Sequence, residues 1–324
     1  MDQDFAARLE PYRGELLVHC YRMLGAVHEA EDLVRETMLR AWRARDRYDE
    51  GRASVRTWLY RIATNACLTA LEGRSRRPLP SGLRGPCDDP HAPLAPSLDV
   101  PWLQPFPDAL LGDAAERDVR RGSLRLALIA AMQALPPEQR AVLILRDVLD
   151  FPAAEVAELL ETSPAAVDEA LRRARNGLEP ASPVRDDAAE RDGGAVDAVD
   201  AVDAVVDRYV RAFEAADVAG LVALLTEDAV LEMPPVPLWY LGRDACGRFM
   251  ERLFATCATE WRMVRTAANE QPAVAAYHRD DDGGFVLHTL QVFTVRPEGL
   301  ARIVVFQDAR VFAAFELAPR LDAR

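Results

Sequence analysis

Two stretches near the N-terminus decide the fold: residues 29–36 read EAEDLVRE, and residues 52–65 read RASVRTWLYRIATN. Around the first stretch, apolar side chains recur at helical spacing and leave the charged side chains on the opposite face. The members of this apolar stripe are Ala30, Leu33, Val34, Thr37, Met38, Ala41 and Trp42. Ser54 is a favourable N-cap for the second helix. The sequence therefore predicts a helical domain over residues 5–74.

The second of these helices has a face suited to single-stranded DNA. Its buried stripe is predicted to contain Val55, Trp58, Leu59, Ile62 and Ala66. Its other face is predicted to contain Arg56, Tyr60, Arg61, Thr64 and Asn65. Arginine binds the nucleic-acid backbone, and aromatic rings stack on unpaired bases. An ordinary amphipathic helix with a solvated basic face is the alternative that these residues leave open.

A second helical domain is predicted over residues 123–179. The stretch LPPEQR at residues 135–140 starts a helix with proline in its first turn. Two further short helices, at 152–160 and 164–177, are joined by a three-residue turn. This is the helix-turn-helix layout. A helix pair from a repeat array is the alternative, and it is disfavoured because the pattern occurs once.

The two helical domains resemble regions 2 and 4 of the extracytoplasmic-function (group IV) sigma factors, members of the sigma-70 family. The resemblance implies that region 2 binds the β′ clamp helices of core RNA polymerase through Glu31, Asp32, Arg35 and Glu36. It also implies that the −10 element of promoter DNA is melted and read by Arg56, Tyr60, Arg61 and Asn65. Where relatives usually have Gln, this chain has Arg35. Region 4 is expected to bind the β flap and to read the −35 element.

The recognition helix of region 4 has an unusual charge pattern. Its candidate DNA-binding residues are Ser163, Ala165, Asp168, Glu169, Arg172 and Arg173. The two carboxylates lie at the N-terminal turns, where phosphates would repel them, although one could accept a hydrogen bond from a cytosine amino group. We therefore expect weak affinity for the −35 element, and we expect neutral replacements of Asp168 and Glu169 to raise it.

Two linkers separate the domains. Residues 75–122 are rich in proline and acidic residues, and in sigma factors the equivalent segment passes through the polymerase towards the RNA exit channel. The alternative is that Trp102, Phe106 and Leu110 attach this linker to a helical domain; both can hold. Residues 180–204 end in a repeated Ala-Val-Asp triplet and are predicted to form a flexible acidic linker.

The C-terminal residues 205–318 resemble the SnoaL-like branch of the NTF2 fold, a curved sheet wrapped on helices around a pocket. The predicted pocket residues are Met233, Trp239, Tyr240, His288, Gln291 and Asp308, with Glu232 as a further candidate carboxylate. Strand alternation places His288 and Gln291 on opposite faces, so the two are expected to lie in separate sites. The overall fold class is thus multidomain, with two all-α helical modules followed by an α+β domain.

The charge, the cysteine pattern and the length of the apolar runs argue against several further classes of protein. The formal net charge of −13 argues against a general nucleic-acid binder. Residues 1–77 contain 14 Arg and 12 acidic residues, so the excess acid lies elsewhere, notably in the linkers. The five cysteines form no CxxC pair, so we expect no metal and no cofactor. No apolar run approaches the roughly 20 residues of a membrane helix, so a cytoplasmic protein is expected.

Taken together, these features predict a sigma factor that binds core RNA polymerase and directs promoter-specific initiation, modulated by its SnoaL-like domain. It is not expected to be an enzyme, because the C-terminal domain has no recognisable acid–base pair. A small-molecule ligand in that domain is left open. The alternative function is an NTF2-fold enzyme or ligand sensor fused to a helix-turn-helix module.

Overall fold

The computed structural model describes residues 2–51, 53–112, 124–178, 195–256 and 260–322, and the side chains of these except residues 2–4 and 195–199. The described residues belong to two units, each built from two separate stretches of the chain. The helical unit lies within Met1–Arg77 and Leu103–Ser182, and the C-terminal unit lies within Pro78–Trp102 and Pro183–Arg324.

Four helices form the first part of the helical unit: α1 (Asp2–Leu9), α2 (Arg13–Leu24), α3 (Val27–Arg43) and α4 (Val55–Leu71). Gly25 ends α2 with φ 70°, and a Cβ atom there would come within 2.8 Å of the Leu103 side chain. Ser54 caps α4, because its hydroxyl accepts a 3.1 Å hydrogen bond from the amide of Thr57. The N-cap predicted from the sequence is thus confirmed.

The second part of the helical unit contains α5 (Leu126–Gln133), α6 (Pro137–Leu143), α7 (Ala153–Leu159) and α8 (Pro164–Leu178). A π-helical turn at Ile144–Val148 extends α6. Helices α7 and α8 form the predicted helix-turn-helix, and Val156, Val167 and Leu171 are buried between them and α6. Both predicted helical domains pack into one unit, since α2 contacts α5 and α6, and α4 contacts α6 and α7.

The linker predicted over residues 75–122 is divided between the two units. Phe106 is fully buried in the helical unit, where its ring lies 4.9 Å from that of Tyr21. The Tyr21 hydroxyl donates a 2.8 Å hydrogen bond to the carbonyl of Gln104. Attachment to a helical domain is therefore confirmed for Phe106. Residues 78–102, which we call the strap, belong instead to the C-terminal unit, and residues 113–122 lie outside the described part.

The C-terminal unit begins with helices α9 (Ala195–Glu214) and α10 (Val218–Ala223). The prediction of a flexible linker over 180–204 is wrong for residues 195–204, which are helical; residues 180–194 lie outside the described part. Two features favour a helix here. One apolar stripe at helical spacing contains Val202, Val205, Val206 and Tyr209. The repeated alanines also have the highest helix propensity. Arg265 further stabilises this end of α9 through ion pairs with Asp203 and Asp207.

A seven-stranded sheet follows, with helices α11 (Arg243–Thr256) and α12 (Ala309–Ala314). The strands are β1 (Leu225–Glu232), β2 (Trp239–Leu241), β3 (Trp261–Ala268), β4 (Gln271–Arg279), β5 (Phe285–Arg296), β6 (Gly299–Phe306) and β7 (Arg320–Leu321). Their order is β2-β1-β6-β5-β4-β3, with β7 beside β5, and only β1 and β6 pair in parallel. Helices α9, α10 and α11 share one apolar core with the sheet. The predicted α+β architecture is confirmed.

No helix in the part of the chain that the structure describes is long and apolar enough to cross a membrane.

Candidate functional sites: polymerase and DNA surfaces and a C-terminal cavity

The predicted polymerase-binding residues lie together on one face of α3. Asp32, Arg35 and Glu36 are exposed and Glu31 is half-buried. Arg35 pairs with Asp32, and Arg40 donates a 2.6 Å hydrogen bond to Glu36. Exposed ion pairs of this kind contribute at most about 1 kcal/mol, so a partner can rearrange them at low cost.

Two large apolar side chains extend this face of α3. Leu39 is 46% exposed and Trp42 is 38% exposed. The prediction that Trp42 is buried is wrong, because the fully buried stripe is narrower and ends at Ala41. The guanidinium of Arg45 covers one face of the Trp42 ring at 4.4 Å. Since Arg35, Leu39 and Trp42 follow each other at i,i+4 and i,i+3 spacing, they form one continuous surface strip.

The predicted −10 surface of α4 is largely covered. Tyr60 and Thr64 are fully buried, so their expected exposure on the DNA-binding face is wrong. The Tyr60 ring lies 5.3 Å from that of Phe151 in region 4, and its hydroxyl donates to Glu15 at 3.2 Å. Burial, and then the negative charge of Glu15, raise the pKa of Tyr60. The physical reason is that α4 packs on both sides, against α2 and α3 and against α6 and α7.

The remaining −10 candidates differ in accessibility. Arg56 is half-buried, pairs with Glu15 at 3.0 Å and places its guanidinium 4.9 Å from the Phe151 ring centre. Arg61 is exposed but pairs at 2.8 Å with Glu161, in the turn of the helix-turn-helix. Asn65 is exposed. Residues of region 4 therefore contact three of the four side chains that were predicted to read the −10 element.

A buried arginine joins regions 2 and 4 at a second place. Arg140, 3% exposed, donates to the carbonyl of Met23 near the end of α2, and at 2.8 Å to the side chain of Gln133. Its other terminal nitrogen donates at 3.1 Å to the carbonyls of Gln133 and Leu135. Burial lowers the pKa of this guanidinium to about 10. The stretch LPPEQR, which ends with Arg140, predicted the start of a helix but gave no indication of these tertiary contacts.

The predicted −35 residues lie along α8. Ser163 accepts a hydrogen bond from the amide of Ala166 at 3.2 Å, while Ala165 and Asp168 are exposed. Glu169 accepts hydrogen bonds from Arg172 at 2.8 and 2.9 Å and from Arg173 at 2.8 Å. These bonds lower the pKa of Glu169 to about 2. Glu169 therefore neutralises part of the basic charge expected to contact DNA, whereas Asp168 makes no such pair in the described structure.

The C-terminal unit contains a cavity of about 160 Å³. Most of its lining is apolar, including Phe213, Leu231, Met233, Met250 and Trp261. Of the predicted pocket residues, Met233, His288 and Gln291 line it. The described lining contains no Asp, Glu, Arg or Lys side chain.

The expected separation of His288 from Gln291 is wrong, because both line the same cavity. The pairing of β4 with β5 explains this: Ala276 pairs with Thr289 but Tyr277 pairs with Leu287, so His288 is an additional residue in a β-bulge. A bulge interrupts the alternation of faces. Burial, and then the nearby His278, lower the pKa of His288.

The other predicted pocket residues lie outside the lining. Trp239 and Tyr240 contact the strap: the Trp239 indole donates to the Arg84 carbonyl at 2.8 Å, and the Tyr240 hydroxyl donates to the Asp89 carbonyl at 3.4 Å. Asp308 caps α12 by accepting from the amide of Arg310 at 2.8 Å. Glu232 is fully buried and pairs with Arg302 at 3.0 Å. These four assignments to the pocket are therefore corrected.

The strap contacts the C-terminal unit mainly through its backbone. The amide of Cys87 donates to the Trp239 carbonyl at 2.7 Å, and that of Ser97 donates to the Pro235 carbonyl at 2.9 Å. Arg252 of α11 donates at 2.7 Å to the carbonyls of both Pro90 and Ala92. Between these anchors, Leu94 reaches the cavity lining.

Among the described residues, no three His, Cys, Asp or Glu side chains come together as metal ligands.

Sequence comparison identifies three family matches along the chain. Residues 9–77 match the model for Sigma-70 region 2, residues 125–178 match Sigma-70 region 4, and residues 206–305 match the SnoaL-like domain. Two of these matches contain the residues predicted to bind polymerase and DNA, and the third contains the residues that line the cavity, except Leu94 and Gln307.

Individual relatives extend the likeness to nearly the whole chain. The chain is 47% identical over 323 residues to the ECF RNA polymerase sigma factor SigG of Mycobacterium tuberculosis (strain ATCC 25618 / H37Rv), covering 98% of this chain and 85% of SigG. It is 31% identical over 223 residues to SigJ of the same strain, covering 68% of this chain and 62% of SigJ.

The crystal structure of the Mycobacterium tuberculosis extracytoplasmic function sigma factor SigJ shows the same fold. It matches with a TM-score of 0.64 at 23% identity, over 96% of this chain and 99% of that one. With these matches, the chain belongs to the ECF RNA polymerase sigma factors, non-enzymatic initiation factors that bind core polymerase and promoter DNA, and it contains a SnoaL-like domain after its two sigma regions.

Proposed function

We propose that this sigma factor reads the −10 element only after region 4 has moved away from α4. The observation that carries the proposal is the cover over Tyr60, which lies fully buried beneath Phe151. A buried ring cannot stack on an unpaired base. We call the arrangement in which region 4 packs on α4 the closed state, and we assign it to the chain without polymerase. Region 4 must leave α4 before the promoter can be melted.

Binding of core polymerase supplies the free energy for that step. The face of α3 formed by Asp32, Arg35 and Glu36 is exposed in the closed unit. We assign it to the β′ clamp helices, with Leu39 and Trp42 adding apolar contact area. Region 4 would then separate and bind the β flap and the −35 element. A ligand that binds the open state better than the closed one shifts the equilibrium by its difference in affinity.

The C-terminal domain modulates this step through the strap. The strap is part of the only chain connection between regions 2 and 4, and the domain binds it through Arg252, Trp239 and Glu232. A linker held in this way is not free to extend through the polymerase. We therefore assign the C-terminal domain a restraining role that ends when the strap is released.

The test compares two arginines on the same helix. Arg252→Ala removes both hydrogen bonds to the strap, while Arg248→Ala removes an exposed arginine of α11 and serves as the matched control. The assay is run-off transcription with purified core polymerase and limiting sigma factor, on a promoter selected with the wild-type holoenzyme. A loss of about 1 kcal/mol of strap binding corresponds to roughly fivefold more released strap.

We expect Arg252→Ala to raise transcription by up to that factor and Arg248→Ala to leave it unchanged. Equal transcription from the two variants would remove the case for restraint by the strap. A lower yield from Arg252→Ala alone would show instead that the bound strap activates the factor. Absence of any promoter-dependent transcript with the wild-type chain would contradict the initiation function itself.

A further inference from the structure

We propose that the cavity of the C-terminal unit binds a small, uncharged, largely apolar molecule with a hydrogen-bond acceptor, and that Leu94 of the strap completes the binding site. Binding of such a molecule to the cavity does not depend on how the strap acts in transcription. Its regulatory meaning rests on the restraining role proposed for the strap. Occupancy and strap binding would then stabilise each other.

The size of the cavity sets the scale of the ligand. Its volume is about 160 Å³. An apolar protein cavity of roughly 150 Å³ stays dry and binds benzene. A molecule with one substituted aromatic ring, or an alicyclic equivalent, is therefore the appropriate size.

The lining selects against charge. None of the described lining side chains is Asp, Glu, Arg or Lys, and the one titratable imidazole, His288, is kept neutral near pH 7 because burial and His278 lower its pKa. An ionised ligand would enter without a counter-charge, and burying an unpaired charge is strongly unfavourable. The site should therefore prefer a neutral compound over an anion of the same shape.

One buried donor in the lining has no partner. The indole Nε1 of Trp261 makes no hydrogen bond to any described residue, although Trp261 is only 6% exposed. Tyr209, by contrast, already donates to Gln291 at 2.9 Å, and Gln307 lies 3.3 Å from the Nε2 atom of His288. Leaving a buried donor unsatisfied has a free-energy cost. A ligand with an acceptor atom would remove that cost.

The strap closes the site at Leu94. This side chain lines the cavity yet is 40% exposed. The hydrogen bonds from Arg252 to Pro90 and Ala92 hold the strap before Leu94, and the bond from Ser97 to Pro235 holds it after Leu94. A ligand that contacts Leu94 therefore binds the docked strap better than the released one. By linkage, such a ligand also strengthens strap docking by the same factor.

The experiment is isothermal titration calorimetry of the full chain with two probes of similar shape. One is 4-methylphenol, which is neutral at pH 7, and the other is the anion 4-methylbenzoate. The variants are Leu94→Ala and its matched control Leu98→Ala, which lies in the same strap, is 86% exposed and is absent from the lining. Arg252→Ala tests the coupling to strap docking.

We expect the phenol to bind at least roughly tenfold more tightly than the benzoate. Leu94→Ala should weaken phenol binding roughly three- to tenfold, because part of the apolar contact area is lost, and Leu98→Ala should not. Arg252→Ala should weaken it in the same direction. In NMR spectra the indole N–H resonance of Trp261, assigned with Trp261→Phe, should shift on binding.

Three results would overturn the proposal: no phenol binding to the wild-type chain, equal affinity for the two probes, or equal effects of Leu94→Ala and Leu98→Ala. Phenol binding that depends on Leu94 would support the site even if Arg252→Ala left transcription unchanged. In that case only the restraining role of the strap would fail.

Discussion

The ring of Tyr60, in helix α4, packs 5.3 Å from the ring of Phe151, in the segment that leads into the helix-turn-helix. These residues lie in different sigma regions, and Tyr60 was predicted to read unpaired promoter bases. Their contact makes α4 part of an internal interface, together with Arg56 and Arg61. Under the function proposed above, regions 2 and 4 must separate before the promoter is melted.

The ion pair between Arg61 and Glu161 should contribute little to this closed state. At 2.8 Å on an exposed surface, the pair should show a coupling free energy of about 0.2–1 kcal/mol. A double-mutant cycle of Arg61→Ala and Glu161→Ala, followed by urea unfolding, measures it. The same cycle with Glu158, an exposed residue of α7, should give no coupling. A coupling above 2 kcal/mol, or one insensitive to salt, would show that the pair is a major part of the closure.

His19 should make the helical unit sensitive to mild acid. It is fully buried, its Nε2 lies 2.9 Å from the Thr64 hydroxyl, and Tyr60 packs against its ring. Burial, followed by Arg22 and Arg56, lowers the pKa of His19 to about 3. The unfolded chain then binds a proton below about pH 6.5 that the folded chain does not, so stability falls as pH decreases from 6.5 towards 3.

This single group should cost about 1.4 kcal/mol per pH unit in that range, or about 2 kcal/mol between pH 7 and pH 5. His19→Gln keeps a polar group near Thr64 and removes the titration. Urea unfolding of both proteins at the two pH values gives the difference. An equal loss of stability in wild type and variant would exclude His19 as the source.

Glu169 should weaken DNA binding more than Asp168 does. Glu169→Gln releases Arg172 and Arg173 from its carboxylate, whereas Asp168→Asn removes one exposed charge and releases no arginine in the described structure. Anisotropy with a 20-base-pair duplex across a salt series should show higher affinity for Glu169→Gln. Its salt slope should steepen by about 0.9 for each arginine that gains a phosphate contact. Equal DNA affinities for the two variants would contradict the inference that Glu169 keeps Arg172 and Arg173 from contacting phosphates.

Arg140 should be irreplaceable by lysine. Its guanidinium donates to Met23, Gln133 and Leu135 from two terminal nitrogens, a geometry that one ammonium group cannot reproduce. We expect Arg140→Lys to lower the free energy of unfolding of the helical unit by about 2–3 kcal/mol, because hydrogen bonds to a charged group are lost. Arg173→Lys, at an exposed position of α8, should change it by about 0.5 kcal/mol or less. Similar values for both variants would contradict the role of Arg140 as a buried connection.

Features set by neighbouring residues were predictable from the sequence. The cap at Ser54, the helix start at Pro137 and the turn between α7 and α8 depend on contacts within a few positions. These signals are local, so a single sequence contains them.

Features set by distant packing were not predictable. Tyr60 has the composition of an exposed DNA-binding face, and only the approach of Phe151, far along the chain, buries it. The alternation of side chains along a strand predicted the wrong face for His288, because the pairing of β5 with β4 contains a bulge at this residue. A proline-rich strap has no periodicity to indicate that its carbonyls meet Arg252. In each case the deciding partner lies in another element.

The most direct test of the closed state is to hold it closed during transcription. Thr57 in α4 contacts Glu155 in α7, so Thr57→Cys and Glu155→Cys can be joined by a short bismaleimide that contains a reducible disulfide. Cys87 and Cys257 are replaced by serine beforehand. Run-off transcription is then measured on one sample before and after reduction. We predict that the joined chain gives no promoter-dependent transcript and that reduction restores it; equal transcription before and after reduction would contradict the requirement for opening.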